Sequence, residues 1–220
     1  MLLLLDPSAS DSLSTSLPKP STIVETFDYR LLVFPNSSSV LQGDSIQINV
    51  SITPLHGTPE KVILDAQVPD GVDFAFNPPE LFPKNNSILT VHSSNAVPSS
   101  SYIITVKDAT QSGKSQSAQI VLAILPSQVT VSGIISASAG ISLKQVVFKQ
   151  LTWEGKVIQS FRAPIENASY RIVLPNQWFY ALGVVYENAE GTLDTHYFVQ
   201  PYRVNADVGV TTVNCGFSWS

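Results

Sequence analysis

Four Asn-x-Ser triplets are the spacings in this chain that point most directly to chemistry. Asn36-Ser37-Ser38, Asn49-Val50-Ser51, Asn85-Asn86-Ser87 and Asn167-Ala168-Ser169 each place a serine two positions after an asparagine, with no proline between them. This is the acceptor pattern for N-linked sugar. N-glycans are therefore expected at Asn36, Asn49, Asn85 and Asn167, and no other cofactor. Asn36, Asn85 and Asn167 fall in predicted turns. Asn49 falls on the polar side of a strand whose other side is apolar, so its sugar would point outward.

The groups that usually carry catalysis are scattered. His56, His92 and His196 lie far apart, none with a partner at i+2 or i+4. No HExxH, Gly-x-Ser-x-Gly or Walker pattern occurs. Asp65, Asp70 and Asp73 gather around one turn, but not at the spacing of an EF-hand loop, and read as a solvated turn. Nothing selects a carboxylate pair for glycosidase chemistry. Cys215 is the single cysteine, which excludes an intrachain disulfide and a cysteine-based zinc site. Lys144 or Lys149 facing Asn214 would suit an isopeptide link if a buried carboxylate stood beside the pair. The chain reads as a non-enzyme without a metal.

Bulk composition narrows the partners. The 220 residues are 44% hydrophobic and only 13% charged, with net charge −5. A soluble domain ordinarily carries about 25% charged residues. No basic stripe is present, which argues against nucleic acid and against an anionic membrane surface. A fold with few ion pairs has little to lose where carboxylates protonate, which suits an acidic exterior.

The elements that must position these residues are strands. Ile23 to Leu125 reads as IVETFDYRLLVFP, DSIQINVSITP, KVILDAQV, FAF, SILTVHSS, SYIITVKDAT and SAQIVLAIL, with the Pro-rich NPPELFP between FAF and SILTVHSS. Ile46, Ile48, Val50 and Ile52 alternate with polar residues, the period of a half-buried strand. About seven short strands with turn signals between them predict a β-sandwich. Tyr102 opens a late strand, as a corner tyrosine does in immunoglobulin-like sandwiches. Leu125-Pro126-Ser127 breaks the pattern. A second series follows: VTVSGIIS, LKQVVFKQLTW, KVIQSFRAPI, SYRIVLP, WFYALGVVYEN, THYFVQPYRV and VTTVNCGFSW. Again about seven strands are expected. The predicted fold is all-β, two tandem immunoglobulin-like or pilin-like sandwiches over 23–126 and 127–220, with an extended N-terminal tail over 1–22.

That tail pairs an apolar tip, Met1, Leu2, Leu3, Leu4 and Leu5, with a Ser-rich leash from Asp6 to Thr22. The tip is too short to span a bilayer, which needs about 20 apolar residues, and lacks the charge and length of a signal peptide. The sequons favour a secreted chain whose signal preceded this numbering. No other segment is apolar enough to cross a membrane. The tip reads as a docking strand. Leu13, Thr15 and Leu17 alternate, so an inserted strand could extend that far. From Asp6 to Lys19 the leash, fully extended, spans up to about 46–50 Å, enough to reach a neighbour.

This combination of apolar tip, Ser-rich leash, two sandwiches, exposed sequons and almost no cysteine resembles the subunit of the archaeal thread filament, a surface pilus. The resemblance implies head-to-tail homopolymers, donor-strand complementation by the N-terminal tail, dense glycosylation and a fold similar to bacterial type I pilins. It implies Met1 to Leu5 and part of the leash, through Leu13 and Leu17, as donor segment, and an extracellular, cell-surface place in adhesion or cell–cell contact. Two other readings compete: a monomeric secreted glycan-binding or adhesive ectodomain, and the non-catalytic β-region of a secreted hydrolase. A glycan binder needs an exposed aromatic platform, for which Trp178-Phe179-Tyr180 is the candidate. A hydrolase needs a catalytic region that this chain lacks.

Overall fold

Strict apolar alternation sets the first sheet. In a computed structural model, which describes residues 25–219, Ile48, Val50 and Ile52 are fully buried while Gln47 and Asn49 face water. The first half holds nine strands: β1 (Asp28–Phe34), β2 (Ser37–Leu41), β3 (Ser45–His56), β4 (Val62–Gln67), β5 (Val72–Asn77), β6 (Glu80–Leu81), β7 (Asn86–Ser93), β8 (Ser100–Thr110) and β9 (Ser117–Leu125). They form one sheet in the order β1-β3-β7-β5 and another in the order β2-β9-β8-β4-β6. Tyr29, Ile48, Val50, Leu89 and Val91 from the first meet Val62, Ile104, Val106, Ile120 and Leu122 from the second in one core. The expected seven strands become nine. β6 lies inside the Pro-rich stretch, and β2 is formed by SSSVL. Neither has an alternating pattern of its own, and each exists because a neighbouring strand supplies its ladder.

The second half also holds nine: β10 (Gln128–Ala137), β11 (Ser142–Leu151), β12 (Val157–Pro164), β13 (Ser169–Pro175), β14 (Phe179–Glu187), β15 (Leu193–Tyr197), β16 (Tyr202–Arg203), β17 (Thr212–Asn214) and β18 (Phe217–Trp219). One sheet runs β13-β10-β17 with β18 also on β10, and the other runs β12-β11-β14-β15 with β16 also on β14. Two expected strands are split here. Pro201 separates β15 from β16. Cys215-Gly216 separates β17 from β18, where the Tyr170 hydroxyl donates to the Cys215 carbonyl at 2.6 Å. Phe148 sits between Tyr170 and Tyr180, at centroid distances of 5.9 and 6.0 Å. The fold is thus all-β, with two sandwiches in tandem. Among the described residues no helix is long and apolar enough to cross a membrane.

Tyr102 does act as a corner. Its hydroxyl donates to the Pro98 carbonyl at 2.9 Å, four residues back. Tyr180 makes the equivalent bond in the second half, to the Pro175 carbonyl at 2.8 Å.

A group of hydrogen bonds, with one buried amide among them, ties the halves at the junction. Asn176 is fully buried, and its side chain fills all its hydrogen-bonding capacity. Nδ2 donates to the carbonyls of Pro126 and Ala206, both at 2.9 Å. Oδ1 accepts from the amides of Gln177 and Ala206, at 2.9 and 2.8 Å. Its backbone amide donates to the Ser127 carbonyl at 2.9 Å. From the other side Gln42 accepts from the Ser127 amide at 3.2 Å and donates to the Val97 carbonyl at 2.6 Å. Gly209 donates to Ser99 Oγ at 3.0 Å. Asn176→Asp would aim a carboxylate oxygen at two carbonyl oxygens. It should lower the unfolding free energy by about 2–4 kcal/mol, read as a fall in the urea midpoint. An unchanged midpoint would deny this amide its role.

Candidate strand-acceptor groove and sequon sites

β2 and β3 leave two strand edges open at the same corner. β3 pairs with β7 over Ser45–Ser51, but with β1 only from Asn49 to His56. Among the described residues, 45–48 therefore have a strand on one side only. β2 is the outer strand of the opposite sheet, joined to β9 in parallel and, among the described residues, to no strand beyond. Between these edges lies a cleft of about 730 Å³. Ser39, Val40 and Leu41 of β2 line one wall, and Asp44, Ser45 and Ile46 the other. Ala123 and Leu125 of β9, with Gln177, Asn205, Asp207 and Val208 from the second half, complete it. Val40 is already buried in the first core, and the cleft mixes the apolar Leu41, Ile46, Ala123, Leu125 and Val208 with six polar residues. An extended segment laid here would find backbone partners at the edges and a mixed apolar and polar lining. Sequence reasoning missed this site. Its signal was the bare Ser37–Leu41 segment, which makes sense as a strand only once β9 is in place.

All four sequon asparagines are exposed. Asn36 stands in the bend between β1 and β2, and its carbonyl accepts from the Val121 amide at 2.9 Å. Asn49 stands in mid-β3 and Asn85 one residue before β7. Asn167, with φ 51°, and Ala168, with φ 60°, are the two central residues of a tight hairpin turn closed by reciprocal 2.9 Å bonds between Glu166 and Ser169. Both in the left-handed region, they give the twist such hairpins favour. The predicted donor residues Met1, Leu2, Leu3, Leu4, Leu5, Leu13 and Leu17 lie outside the described residues.

The other sequence candidates are dispersed. His56 pairs with Asp28 at 3.2 Å, His92 shares a hydrogen bond with Ser45 at 3.1 Å, and His196 meets the Phe198 ring edge-on. Asp65 accepts from the Ala66 amide. Lys144 pairs with Glu187, Lys149 lies over the Tyr197 ring, and Asn214 accepts from Ser132. The structure therefore does not bring either lysine to Asn214. In the aromatic triplet Tyr180 is buried, whereas Trp178 and Phe179 stay part exposed. Trp153, 90% exposed, joins Phe179 and Pro201 around a hollow of about 270 Å³, a grouping absent from the sequence reading.

Two carboxylates respond oppositely to acid. Asp108 is buried; its Oδ1 accepts from the Tyr29 hydroxyl at 2.6 Å and the Gln116 amide at 2.7 Å, and its Oδ2 has no partner among the described residues. Burial raises its carboxyl above the ordinary range, against those two hydrogen bonds. Asp28 pairs with Lys114, whose hydrogen bond holds its carboxyl below that range. Because folding raises the Asp108 value, its contribution is complete below the ordinary carboxylate value of about 3.9 and fades as pH rises through the raised one. The Asp28 contribution is present above about 3.9 and fades as pH falls through its lowered value. Melting curves across this range should show Asp108→Asn losing the decline from acid towards neutral pH, and Asp28→Asn losing the decline at the acid end. A wild-type pH slope retained in Asp108→Asn would refute the assignment.

No protein-family profile matches the chain, and no curated protein matches it. Among solved structures the chain is similar to BcpA, the major pilin subunit of Bacillus cereus. Two structures of that protein match at 12% identity, covering 88% of this chain and 69% of BcpA, with TM-scores of 0.48 and 0.44. The T6 backbone pilin of Streptococcus pyogenes matches at 8% identity over 82% of this chain and 52% of that one, with a TM-score of 0.39. The surface-layer protein SbsC, domains 1–6, matches at 10% identity over 83% of this chain and 26% of that one, with a TM-score of 0.34.

Proposed function

We propose that this chain is the structural subunit of an extracellular homopolymeric filament, of the archaeal thread kind, in which the tail of one copy enters the cleft between β2 and β3 of the next. The observation that supports this reading is the cleft, where two strand edges lack a neighbour among the described residues, in a chain that also carries the apolar run Met1–Leu5 on a Ser-rich leash. In this reading the acceptor is the first sandwich, beside the junction.

Burying four leucines contributes about 6–12 kcal/mol, and ordering five backbone residues costs about 5–10. The two nearly cancel, so ladder hydrogen bonds at about 0.5–1.5 kcal/mol each decide the outcome. The reading includes N-glycans at Asn36, Asn49, Asn85 and Asn167, a division into two domains at Pro126, a role in adhesion or cell–cell contact, and no catalytic activity.

A second reading, a monomeric glycan-binding ectodomain, is favoured by the Trp153–Phe179 hollow. Size exclusion of the full chain against residues 23–220 separates the two, since only the filament reading requires the tail for assembly.

Leu3→Asp with Leu5→Asp should abolish filaments and leave folded, soluble subunits. Leu3→Cys with Ser39→Cys should give an intersubunit disulfide ladder on mild oxidation. Normal polymerisation of the Asp variant would sink donor-strand exchange, and a failed ladder with intact filaments would move the acceptor elsewhere. Intact-glycopeptide mass spectrometry of native material should find sugar on most of the four asparagines; four bare sites would remove the glycoprotein reading.

A further inference from the structure

The outer face of the β1-β3-β7-β5 sheet holds a sequon inside an apolar row. The register sets Phe34 of β1 opposite Asn49 of β3, and Asn49 opposite Ile88 of β7. Phe34 is 76% exposed and Ile88 37%, and Asn49 is exposed between them. One row along, Leu32, also exposed, stands opposite Ser51, the hydroxyl residue of the same sequon. Residues directly opposite on a sheet face have Cβ atoms about 4.5–5.5 Å apart. A sugar attached to Asn49 therefore begins within reach of both apolar side chains. β1 is moreover an edge strand, where exposed apolar residues invite unwanted pairing.

We propose that the first sugar of an Asn49 glycan lies on the ring of Phe34, with Ile88 on its other flank, and thereby covers this edge. A pyranose presents a face of C–H groups, and an aromatic ring presents a negative face to them. Resting on the proposed glycosylation of Asn49, the inference gives that sugar a structural task.

Asn36 is the rival, two residues after Phe34. Its carbonyl, however, accepts from Val121 of β9, so the chain there has already left for the opposite sheet. Phe34 remains on the face that Asn49 shares.

The test uses the full chain made in an N-glycosylating host, with occupancy of Asn49 confirmed by glycopeptide mass spectrometry. Phe34→Leu keeps an apolar side chain and removes the ring, and Ser51→Ala leaves Asn49 bare. In the occupied chain, sugar C–H proton signals should be shifted upfield by the ring, and Phe34→Leu should abolish that shift and lower the melting temperature by about 2–4 °C. In the Ser51→Ala background Phe34→Leu should change melting by less than about 1 °C. Equal effects in both backgrounds, or upfield signals that survive Phe34→Leu, overturn this inference and leave glycosylation standing. Loss of coupling in Ser38→Ala instead of Ser51→Ala assigns the sugar to Asn36 and overturns it too. A bare Asn49 in the parent chain overturns it together with the glycan reading for that site.

Discussion

Backbone amides and carbonyls withdrawn from water must find partners, and the described part of this chain meets that demand with strands and turns, helped by a few side chains. Each strand solves the problem for its neighbour and passes it outward, so the difficulty collects at the sheet edges. The first half shows the result. After β1 the chain crosses from one sheet to the other through Pro35-Asn36 and continues as β2. β1 thereby covers β3 from Asn49 to His56, and β2 covers β9 from Val121 to Leu125. Among the described residues the crossing leaves a short edge on each sheet, facing across one cleft.

The second half bounds this cleft because the junction is held by hydrogen bonds at fixed positions. Asn176 holds the Pro126 carbonyl, its own neighbour Gln177 and both backbone groups of Ala206. Gln177, Asn205 and Asp207, which line the cleft, are adjacent to these anchored residues. A polar residue with every bond filled costs little to bury and specifies one arrangement.

Where apolar alternation or turn chemistry was strong, the sequence was a reliable guide. β9 and β13 coincide with the predicted SAQIVLAIL and SYRIVLP, and Tyr102 makes the predicted corner. β2 and β6 escaped because their pairing lies with residues distant in the chain, which a local pattern does not encode. The same reason hid the cleft, which is built from Ser39–Leu41, Asp44–Ile46 and Asn205–Val208. Asn176 gave no signal at all, since an asparagine after a proline reads as an ordinary turn residue. The sequons were legible as chemistry, but the row of Phe34, Asn49 and Ile88 became visible only through the register.

The parallel pairing of β2 with β9 has a mechanical consequence. Their five paired positions run from Ser37 with Val121 to Leu41 with Leu125. Tension between the chain entering β2 and the chain leaving β9 pulls these strands in opposite directions along their common axis. Their hydrogen bonds lie across that pull, so they carry the load together and must fail together, in shear. Were the strands antiparallel, with the pull applied at one shared end, the bonds would open singly, like a zip. The orientation of this short strand thus sets whether its own pairing is sheared or peeled under such a pull.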